Sequence, residues 1–463
     1  MSPSLSAKFL SGVIEGFYGQ PWSHAERLEL FAGMAAGGLN TYVYAPKDDL
    51  HHRALWRERY PDAAATALAE LIDACRRKNL RFIYALGPGL DLRYADDAEL
   101  DCLRGRCEQL LGLGCTDFAL LFDDIPDRLT AADAARFGTF ASAQSQVANA
   151  LFRWCRDRAP HGRFLFCPTP YCGRMAGRGL GGADYLATLG RELAPEIDVF
   201  WTGPEIVSPT ITVPHVREVR ALLRRPPMIW DNLHANDYDG RRFFCGPYAG
   251  RAPELRAEVG GLLLNPNCEF PLNYVPLRTF AEFVLGTETW HARDAYLAAL
   301  RAWLPAFATV GRPITLEELI LLGDSYYLPH EDGPEADALL CGVTRLLDGH
   351  ELPPADVTAF RLQATRLRDL CGRLAELRER PLFHALCRRI WELREELDLL
   401  LRYVDWTAVR PPPTAPCQSD FHLPGTYRGG LVARLQDLLV PQPDGTFLPS
   451  RRHPRPPGVK ATS

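Results

Sequence analysis

The stretch Asp117-Phe-Ala-Leu-Leu-Phe-Asp-Asp-Ile125 contains five consecutive apolar residues that end at two adjacent carboxylates. A short apolar run preceded by Gly112 and Gly114 is typical of a buried parallel strand. Burying one carboxylate beside another is unfavourable, which favours a catalytic role for Asp123 and Asp124. The alternative is a helix N-cap followed by an acidic first-turn residue, which accounts for one aspartate better than two.

The same kind of apolar run occurs eight times within residues 8–267, and each run precedes a longer segment with helical patterning. The runs are Phe9–Phe17, Leu39–Ala45, Leu80–Leu86, Phe118–Phe122, Arg163–Cys167, Ile197–Trp201, Met228–Trp230 and Gly261–Leu264. Ala63–Lys78 and Ala131–Ala159 show the apolar spacing of amphipathic helices. Eight strand-and-helix units predict an α/β fold, a (β/α)8 TIM barrel. A doubly wound open sheet is the alternative, although no GxGxxG turn follows the first run.

Polar and aromatic residues follow the carboxyl end of every run. The segments are Glu15-Gly-Phe-Tyr-Gly19, Pro46-Lys-Asp-Asp49, Gly87-Pro-Gly-Leu-Asp91, Asp123-Asp124, Pro168-Thr-Pro-Tyr171, Trp201-Thr-Gly203, Trp230-Asp-Asn232 and Asn265-Pro-Asn267. Barrel enzymes place their active sites at these strand ends. Aromatic rings and amides favour a sugar ligand, since sugars stack on rings and need fixed hydrogen-bond partners for their hydroxyls.

From about residue 292 the apolar spacing becomes helical throughout. The predicted helices are Ala295–Phe307, Thr315–Tyr327, Glu335–Leu347, Ala355–Arg378 and Phe383–Val404, with one more helix possible within 418–440. Thr315 and Glu318 have the spacing of a capping box. We therefore predict a catalytic barrel domain at 8–290, an all-α helical bundle or stalk domain at 291–440, and a disordered tail at 441–463. The basic run Arg451-Arg-His-Pro-Arg455 fits a nuclear signal, but runs of this kind are more commonly solvated basic tails.

Composition excludes several classes of function. A net charge of -5 argues against a dedicated nucleic-acid binder, and no apolar run is long enough to span a membrane. The 13 cysteines include no CxxC pair, and the sequence has no signal-peptide pattern and no Asn-x-Ser/Thr site. These features predict a cytoplasmic or nuclear protein with reduced thiols. The sequence contains no HExxH motif, no Cys/His cluster and no P-loop, so we predict that the protein uses no metal ion and no cofactor. Of the catalytic chemistries considered, acid/base catalysis by carboxylates is the one that remains.

Adjacent aspartates suit one glycosidase mechanism better than another. Ordinary retaining enzymes use two carboxyls roughly 5 Å apart that come from separate strands, an arrangement that neighbouring residues rarely reach. In the substrate-assisted mechanism the 2-acetamido group of the sugar is the nucleophile. One aspartate then orients that amide while its neighbour protonates the leaving oxygen. Taken alone, the pair only suggests this chemistry.

Distinctive motifs occur along most of the chain. In the predicted barrel they are Gly12-Val-Ile-Glu-Gly-Phe-Tyr-Gly19, Asn40-Thr-Tyr-Val-Tyr-Ala-Pro-Lys-Asp-Asp49, Leu120-Leu-Phe-Asp-Asp-Ile125, Phe166-Cys-Pro-Thr-Pro-Tyr-Cys-Gly173, Trp201-Thr-Gly-Pro204, Ile229-Trp-Asp-Asn-Leu-His-Ala-Asn-Asp-Tyr-Asp239 and Asn265-Pro-Asn-Cys-Glu-Phe270. Beyond the barrel they are Tyr327-Leu-Pro-His-Glu-Asp-Gly-Pro334 and Tyr427-Arg-Gly-Gly-Leu-Val432. In these motifs the sequence resembles the eukaryotic protein O-GlcNAcases of glycoside hydrolase family 84. The sequence departs from the family at Pro170, where relatives carry glutamate, and at Gln20, where they carry arginine.

The resemblance implies a role for each of nine residues. Asp123 polarises the acetamido group and Asp124 is the general acid/base. The substrate-binding positions it implies are Gly16 (through its backbone), Lys47, Asn232 and Asp237 for sugar hydroxyls, Asn265 near the sugar and its acetamido group, Tyr171 near the acetamido oxygen, and Trp230 as a wall of the pocket. Structural alternatives exist for single residues: Trp230 could plug the barrel, Gly16 could shape a turn, and Lys47 could pair with Asp48 or Asp49.

The function that the resemblance implies is retaining hydrolysis of O-linked β-N-acetylglucosamine from Ser and Thr of proteins, through an oxazoline intermediate. It also implies a homodimer formed through the helical domain, with modified proteins as substrates. One alternative is an exo-β-hexosaminidase or hyaluronidase-like enzyme that acts on glycans. Another is a catalytically weak GlcNAc-protein binding module, which the presence of Asp123, Asp124 and Asn232 disfavours.

Overall fold

The computed structural model describes residues 9–286, 289–347 and 354–409, and short pieces at 417–419, 431, 438–442 and 446–449. Eight parallel strands pair in chain order, and the last also pairs with the first, which closes the sheet. They are β1 (Leu10–Glu15), β2 (Thr41–Tyr44), β3 (Arg81–Leu86), β4 (Asp117–Leu121), β5 (Phe164–Cys167), β6 (Asp198–Trp201), β7 (Met228–Asp231) and β8 (Gly261–Leu264). The predicted barrel is confirmed, and the open-sheet alternative is wrong because the sheet is closed.

Helices connect the strands of the barrel. They are α1 (His24–Ala36), α2 (Asp62–Arg77), α3 (Asp97–Gly112), α4 (Ala131–Phe137), α5 (Phe140–Arg158), α6 (Gly173–Gly177), α7 (Tyr185–Glu192), α8 (Val213–Leu223) and α9 (Tyr274–Leu285). The helical patterning of Ala131–Ala159 corresponds to two helices, α4 and α5. Gly138 adopts a φ of 74° and ends α4, and the Thr139 side chain accepts a hydrogen bond from the Ser142 amide to begin α5.

Both faces of the strands are apolar, as expected of a parallel barrel. Ile14, Val43 and Ile83 belong to the core inside the barrel, where they are fully buried. Alternate residues such as Val13 and Tyr42 belong to the larger core between the sheet and its helices. Polar groups on these strands are therefore concentrated where the strands end.

In the part of the chain that the structure describes, five further α-helices follow the barrel. They are α10 (Ala292–Trp303), α11 (Leu316–Asp324), α12 (Pro334–Leu347), α13 (Pro354–Arg373) and α14 (Arg380–Ala408). The capping box of Thr315 and Glu318 is confirmed at the start of α11. The helix predicted to run to Tyr327 ends earlier, because the segment after it forms backbone hydrogen bonds with the barrel. The amide of Cys245 donates to the Tyr326 carbonyl at 2.7 Å, and that of Gly246 donates to the Tyr327 carbonyl at 2.6 Å.

A buried carboxylate supports this junction from the helical side. The Asp324 side chain accepts hydrogen bonds from Arg293 at 2.7 and 2.9 Å and from the Tyr296 hydroxyl at 2.9 Å. Tyr274 of α9 stacks on Trp303 of α10 with ring centroids 5.9 Å apart. The helical region therefore packs directly on the barrel, and the boundary at residues 290 and 291 remains a prediction.

The C-terminal predictions fall mostly outside the described residues. This applies to the possible helix within 418–440 and to the basic run 451–455. Part of the predicted disordered tail differs from expectation, since β9 (Leu439–Pro441) and β10 (Phe447–Pro449) form a two-stranded antiparallel sheet. Among the helices in the described part of the chain, none is long and apolar enough to cross a membrane.

Candidate active site

A cavity of about 560 Å³ lies at the carboxyl ends of the barrel strands. All nine residues selected from the sequence line it: Gly16, Lys47, Asp123, Asp124, Tyr171, Trp230, Asn232, Asp237 and Asn265. They come from the ends of six different strands, so the closed barrel brings together positions from distant parts of the sequence. Gly16 and Asn265, for example, are 249 residues apart and joined by a hydrogen bond.

Asp123 lies at the buried end of this cavity and is paired with a lysine. Lys47 Nζ donates to Asp123 Oδ2 at 2.5 Å, and the two side chains are only 2% and 8% exposed. Burial would raise the pKa of Asp123, but the positive charge and hydrogen bond of Lys47, helped by Arg53, hold it below its ordinary value. Asp123 is therefore ionised near neutral pH. The alternative pairing of Lys47 with Asp48 or Asp49 is wrong.

Asp124 is exposed and has different surroundings from its neighbour. The Tyr171 hydroxyl donates to Asp124 Oδ1 at 2.7 Å, and the Tyr18 hydroxyl donates to Oδ2 at 3.0 Å. Burial and the nearby negative charge of Asp124 raise the pKa of Tyr171 above its ordinary value, so this hydroxyl stays protonated and able to donate. The backbone of Asp124 has a φ of 52°, a left-handed conformation that few residues other than glycine adopt.

Arg53 stabilises this conformation and was not predicted from the sequence. Its Nη2 donates to the Asp124 carbonyl oxygen at 2.8 Å, and its Nη1 donates to the Tyr18 hydroxyl at 2.7 Å. Arg53 therefore contacts the backbone of Asp124 and the tyrosine that binds its carboxylate. Tyr18 could have been selected from its place in the segment after β1. No pattern in the sequence distinguishes Arg53 from other arginines.

A chain of amide hydrogen bonds forms another side of the cavity. The Gly16 amide donates to Asn265 Oδ1 at 3.4 Å, and Asn265 Nδ2 donates to Asn232 Oδ1 at 2.9 Å. Asn232 Nδ2 then donates to the Ile206 carbonyl at 2.9 Å. These contacts join the loops after β1, β8, β7 and β6, and they fix the orientation of both asparagine side chains.

A buried ion pair beneath Asn232 holds the end of β7. Arg251 Nη2 donates to Asp231 Oδ1 at 2.7 Å, and both side chains are fully buried. The Tyr248 hydroxyl donates to Asp231 Oδ2 at 2.6 Å, and Arg251 also donates to the Ser208 carbonyl at 2.9 Å. Asp231 lies between Trp230 and Asn232 in the chain, so this network positions both of them.

Gly16 and Trp230 are in close contact. A Cβ atom on Gly16 would lie 2.4 Å from Cζ2 of Trp230, so only glycine fits at this position. Trp230 belongs to the core inside the barrel and also lines the cavity. It can therefore fill the end of the barrel and form a wall of the cavity at the same time. Its ring centroid is 5.5 Å from Lys47 Nζ, and its Nε1 is buried without a hydrogen-bond partner.

Asp237 lies at the opening, where its Oδ2 accepts a hydrogen bond from the Tyr18 amide at 2.9 Å. The rim also contains residues that the sequence analysis did not select, including Tyr238 and Ile206, which are 56% and 37% exposed. Tyr238 lies within a quoted motif and Ile206 lies just beyond another, and neither directly follows the end of a predicted strand. In the described part of the chain, no group of three or more His, Cys, Asp or Glu is placed to hold a metal ion.

Comparison with known families agrees with this architecture. Residues 11–310 match the β-N-acetylglucosaminidase family, and the protein belongs to that family of glycosidases. Among its relatives are the proteins named Protein O-GlcNAcase from Rattus norvegicus and Mus musculus, each 47% identical over 274 residues. That match covers 59% of this chain, and the chain spans only 30% of the length of these relatives.

A solved structure has a similar fold. The chain is similar to a mutant of Thermobaculum terrenum O-GlcNAc hydrolase, with a TM-score of 0.75 and 29% sequence identity. The alignment covers 86% of this chain and 84% of the solved chain, so the likeness extends beyond the barrel into the helical region.

Replacing Lys47 by methionine tests the electrostatics of Asp123. Without the lysine charge, burial dominates and the pKa of Asp123 rises, so the carboxylate becomes protonated at a higher pH. The acid limb of the kcat/KM profile for an aryl β-N-acetylglucosaminide should therefore move to higher pH. Lys78→Met, at an exposed position, is the matched control and should leave the profile unchanged. An acid limb that stays in place in Lys47→Met would contradict this account of the ion pair.

Proposed function

We propose that this chain removes O-linked β-N-acetylglucosamine from Ser and Thr of proteins, with retention of configuration, by substrate-assisted catalysis. The observation that carries the proposal is the contrast between two adjacent carboxyls. Asp123 is buried and paired with Lys47, whereas Asp124 is exposed at the mouth of the cavity. The names of the relatives support the choice of substrate.

In the first step, the ionised Asp123 accepts a hydrogen bond from the N–H of the 2-acetamido group and makes its carbonyl oxygen more nucleophilic. That oxygen attacks the anomeric carbon as the glycosidic bond breaks, and an oxazoline forms as the N–H proton passes to Asp123. Asp124 gives its proton to the departing Ser or Thr oxygen. In the second step, water attacks the anomeric carbon and opens the oxazoline with net retention, while Asp124 takes a proton from the water and Asp123 returns its proton to the nitrogen.

The remaining residues bind the sugar in this proposal. Lys47, Asn232, Asp237 and the backbone of Gly16 hold hydroxyls, and the ring of Trp230 forms a wall. Asn265 and Tyr171 lie near the acetamido group. The cavity supports these roles because it contains fixed donors and acceptors beside an aromatic face, which is the combination that a sugar requires.

A substrate panel tests the function as a whole. We expect the purified chain to hydrolyse an aryl β-N-acetylglucosaminide and a GlcNAc-modified peptide, and to leave an aryl β-glucoside essentially untouched because it lacks the acetamido nucleophile. Chitobiose and a hyaluronan fragment are the comparison substrates for the glycan-processing alternative. Faster turnover of either fragment than of the modified peptide would favour that alternative, and binding without turnover would favour a GlcNAc-binding module.

The general-acid role of Asp124 predicts a dependence on the leaving group. Asp124→Asn should lower kcat/KM by about 10²–10⁴ for a modified peptide, whose serine oxygen must be protonated as it leaves. The loss should be much smaller for an aryl glycoside with an activated leaving group. Asp127→Asn, a nearby exposed carboxyl outside the cavity, serves as the control and should behave like wild type. Equal losses on both substrates would remove Asp124 from the acid role.

We also propose a cytoplasmic or nuclear location, with no membrane or nucleic-acid partner. All 13 cysteines are free, which suits a reducing compartment. The net charge of -5 argues against a nucleic-acid partner.

We propose that the helical domain forms a homodimer. Most of the leucines on α13 and α14 are used within the bundle, since Leu367, Leu370 and Leu386 are fully buried. Leu362 and Trp391 differ, with 62% and 59% of their surfaces exposed. Such apolar residues support an interface between two copies, with the helices of the partner forming one wall of a cleft for the protein substrate.

Light scattering at micromolar concentration tests the dimer. We expect wild type to be dimeric and Trp391→Ser to shift the population toward monomer, because a large exposed ring is a typical interface anchor. Activity should fall on a modified protein and change little on an aryl glycoside, since only the protein needs the cleft. Leu222→Ser, which replaces a 45% exposed leucine on α8, is the matched control. A monomeric wild type with full activity on the modified protein would contradict the arrangement.

A further inference from the structure

The helical domain is joined to the loops of the cavity by an ion pair. Arg389 lies on α14, and its Nη2 donates to Glu269 Oε1 at 2.6 Å. Glu269 belongs to the loop after β8, which also carries Asn265. The arginine side chain is only 7% exposed and that of Glu269 is 30% exposed, so the pair is shielded from most of the solvent.

The other oxygen of Glu269 continues the connection. Glu269 Oε2 accepts a hydrogen bond from Asn236 Nδ2 at 3.0 Å, and Asn236 Oδ1 accepts one from the Cys268 amide at 2.8 Å. Asn236 is 2% exposed and immediately precedes Asp237 in the chain. Asp237 in turn accepts the hydrogen bond of the Tyr18 amide at 2.9 Å. The loops after β1, β7 and β8 are thus connected to one helix outside the barrel.

We propose that Arg389 is a positioning residue for sugar binding, which acts through Glu269 and Asn236 on Asp237. The inference rests on the proposed role of Asp237 in holding a sugar hydroxyl. Without Arg389, the partly exposed Glu269 carboxylate loses its charged partner and turns toward water. Asn236 then loses one acceptor and keeps its contacts with the Cys268 amide and the Arg242 carbonyl, so the backbone that carries Asp237 is held less firmly. Misplacing a binding group in this way weakens binding without removing the reacting carboxyls.

A purely structural role for Arg389 makes a different prediction. The arginine also donates to the Ala385 carbonyl at 2.8 Å, and its own carbonyl accepts a hydrogen bond from the Tyr326 hydroxyl at 2.9 Å. If these local contacts were its whole contribution, a substitution would lower the melting temperature and the folded fraction. It would leave KM of the folded enzyme unchanged.

The experiment compares two neighbouring arginines of α14. Arg388 forms an ion pair with Glu392 in which both side chains are well exposed, at 74% and 46%, and Arg388→Ala is the control. For Arg389→Ala we expect KM for an aryl β-N-acetylglucosaminide to rise about tenfold, with kcat within about twofold of wild type. The dissociation constant of a thiazoline analogue of GlcNAc should rise by the same factor. Thermal unfolding of each variant gives its folded fraction.

Three further variants, two single and one double, make the result decisive. Glu269→Gln should raise KM to a similar extent, and combining it with Arg389→Ala should add little, because both remove the same contact. Arg389→Lys keeps the charge and should restore part of the affinity, and it provides the measurement if Arg389→Ala fails to fold. A KM and dissociation constant equal to those of Arg388→Ala, or a fully additive double variant, would overturn the inference. If the wild-type chain hydrolyses none of the substrates, the proposed function is overturned. The dissociation constants of the thiazoline analogue would then still decide the role of Arg389.

Discussion

Hydrogen bonding between β1 and β8 closes the sheet, and the contacts between the first and the last loops of the cavity depend on that closure. Leu10 pairs with Gly261 and Val13 with Leu264, so the chain leaves both strands at the same edge of the barrel. This is why the Gly16 amide donates a hydrogen bond to the Asn265 side chain, although almost the whole barrel sequence lies between the two residues. If the strands kept this sequential order without the pairing of β1 and β8, the first and last strands would lie at opposite edges and their loops would be far apart.

Within the closed barrel, two neighbouring residues have different chemical properties because of what surrounds them. The Lys47 charge keeps Asp123 ionised in spite of burial, and the Tyr18 and Tyr171 hydroxyls bind the exposed carboxylate of Asp124. The left-handed backbone of Asp124 is held from outside the strand by Arg53. Adjacent aspartates therefore need not share a role, which is the physical basis for the proposed division between orienting the amide and transferring the proton.

Much of this arrangement could be predicted from the sequence, for a specific reason. Apolar runs identify the buried strands, and the polar residues after them must converge because parallel strands end at one edge. The roles of single residues came from family resemblance, since spacing alone is equally compatible with a Lys47–Asp48 pair and with Trp230 as a barrel plug. Arg53 and the early end of α11 were not predictable. They depend on contacts with chain segments distant in sequence, and local propensity carries no information about such contacts.

The backbone hydrogen bonds from Cys245 and Gly246 to Tyr326 and Tyr327 have a consequence for folding. They tie the loop after β7 to the segment after α11, so neither region satisfies all its amides and carbonyls when the other is absent. Unfolding of the helical region would expose polar backbone on the barrel as well as apolar surface. We therefore expect the two regions to unfold together in one cooperative transition, and the barrel to behave as an incomplete folding unit by itself.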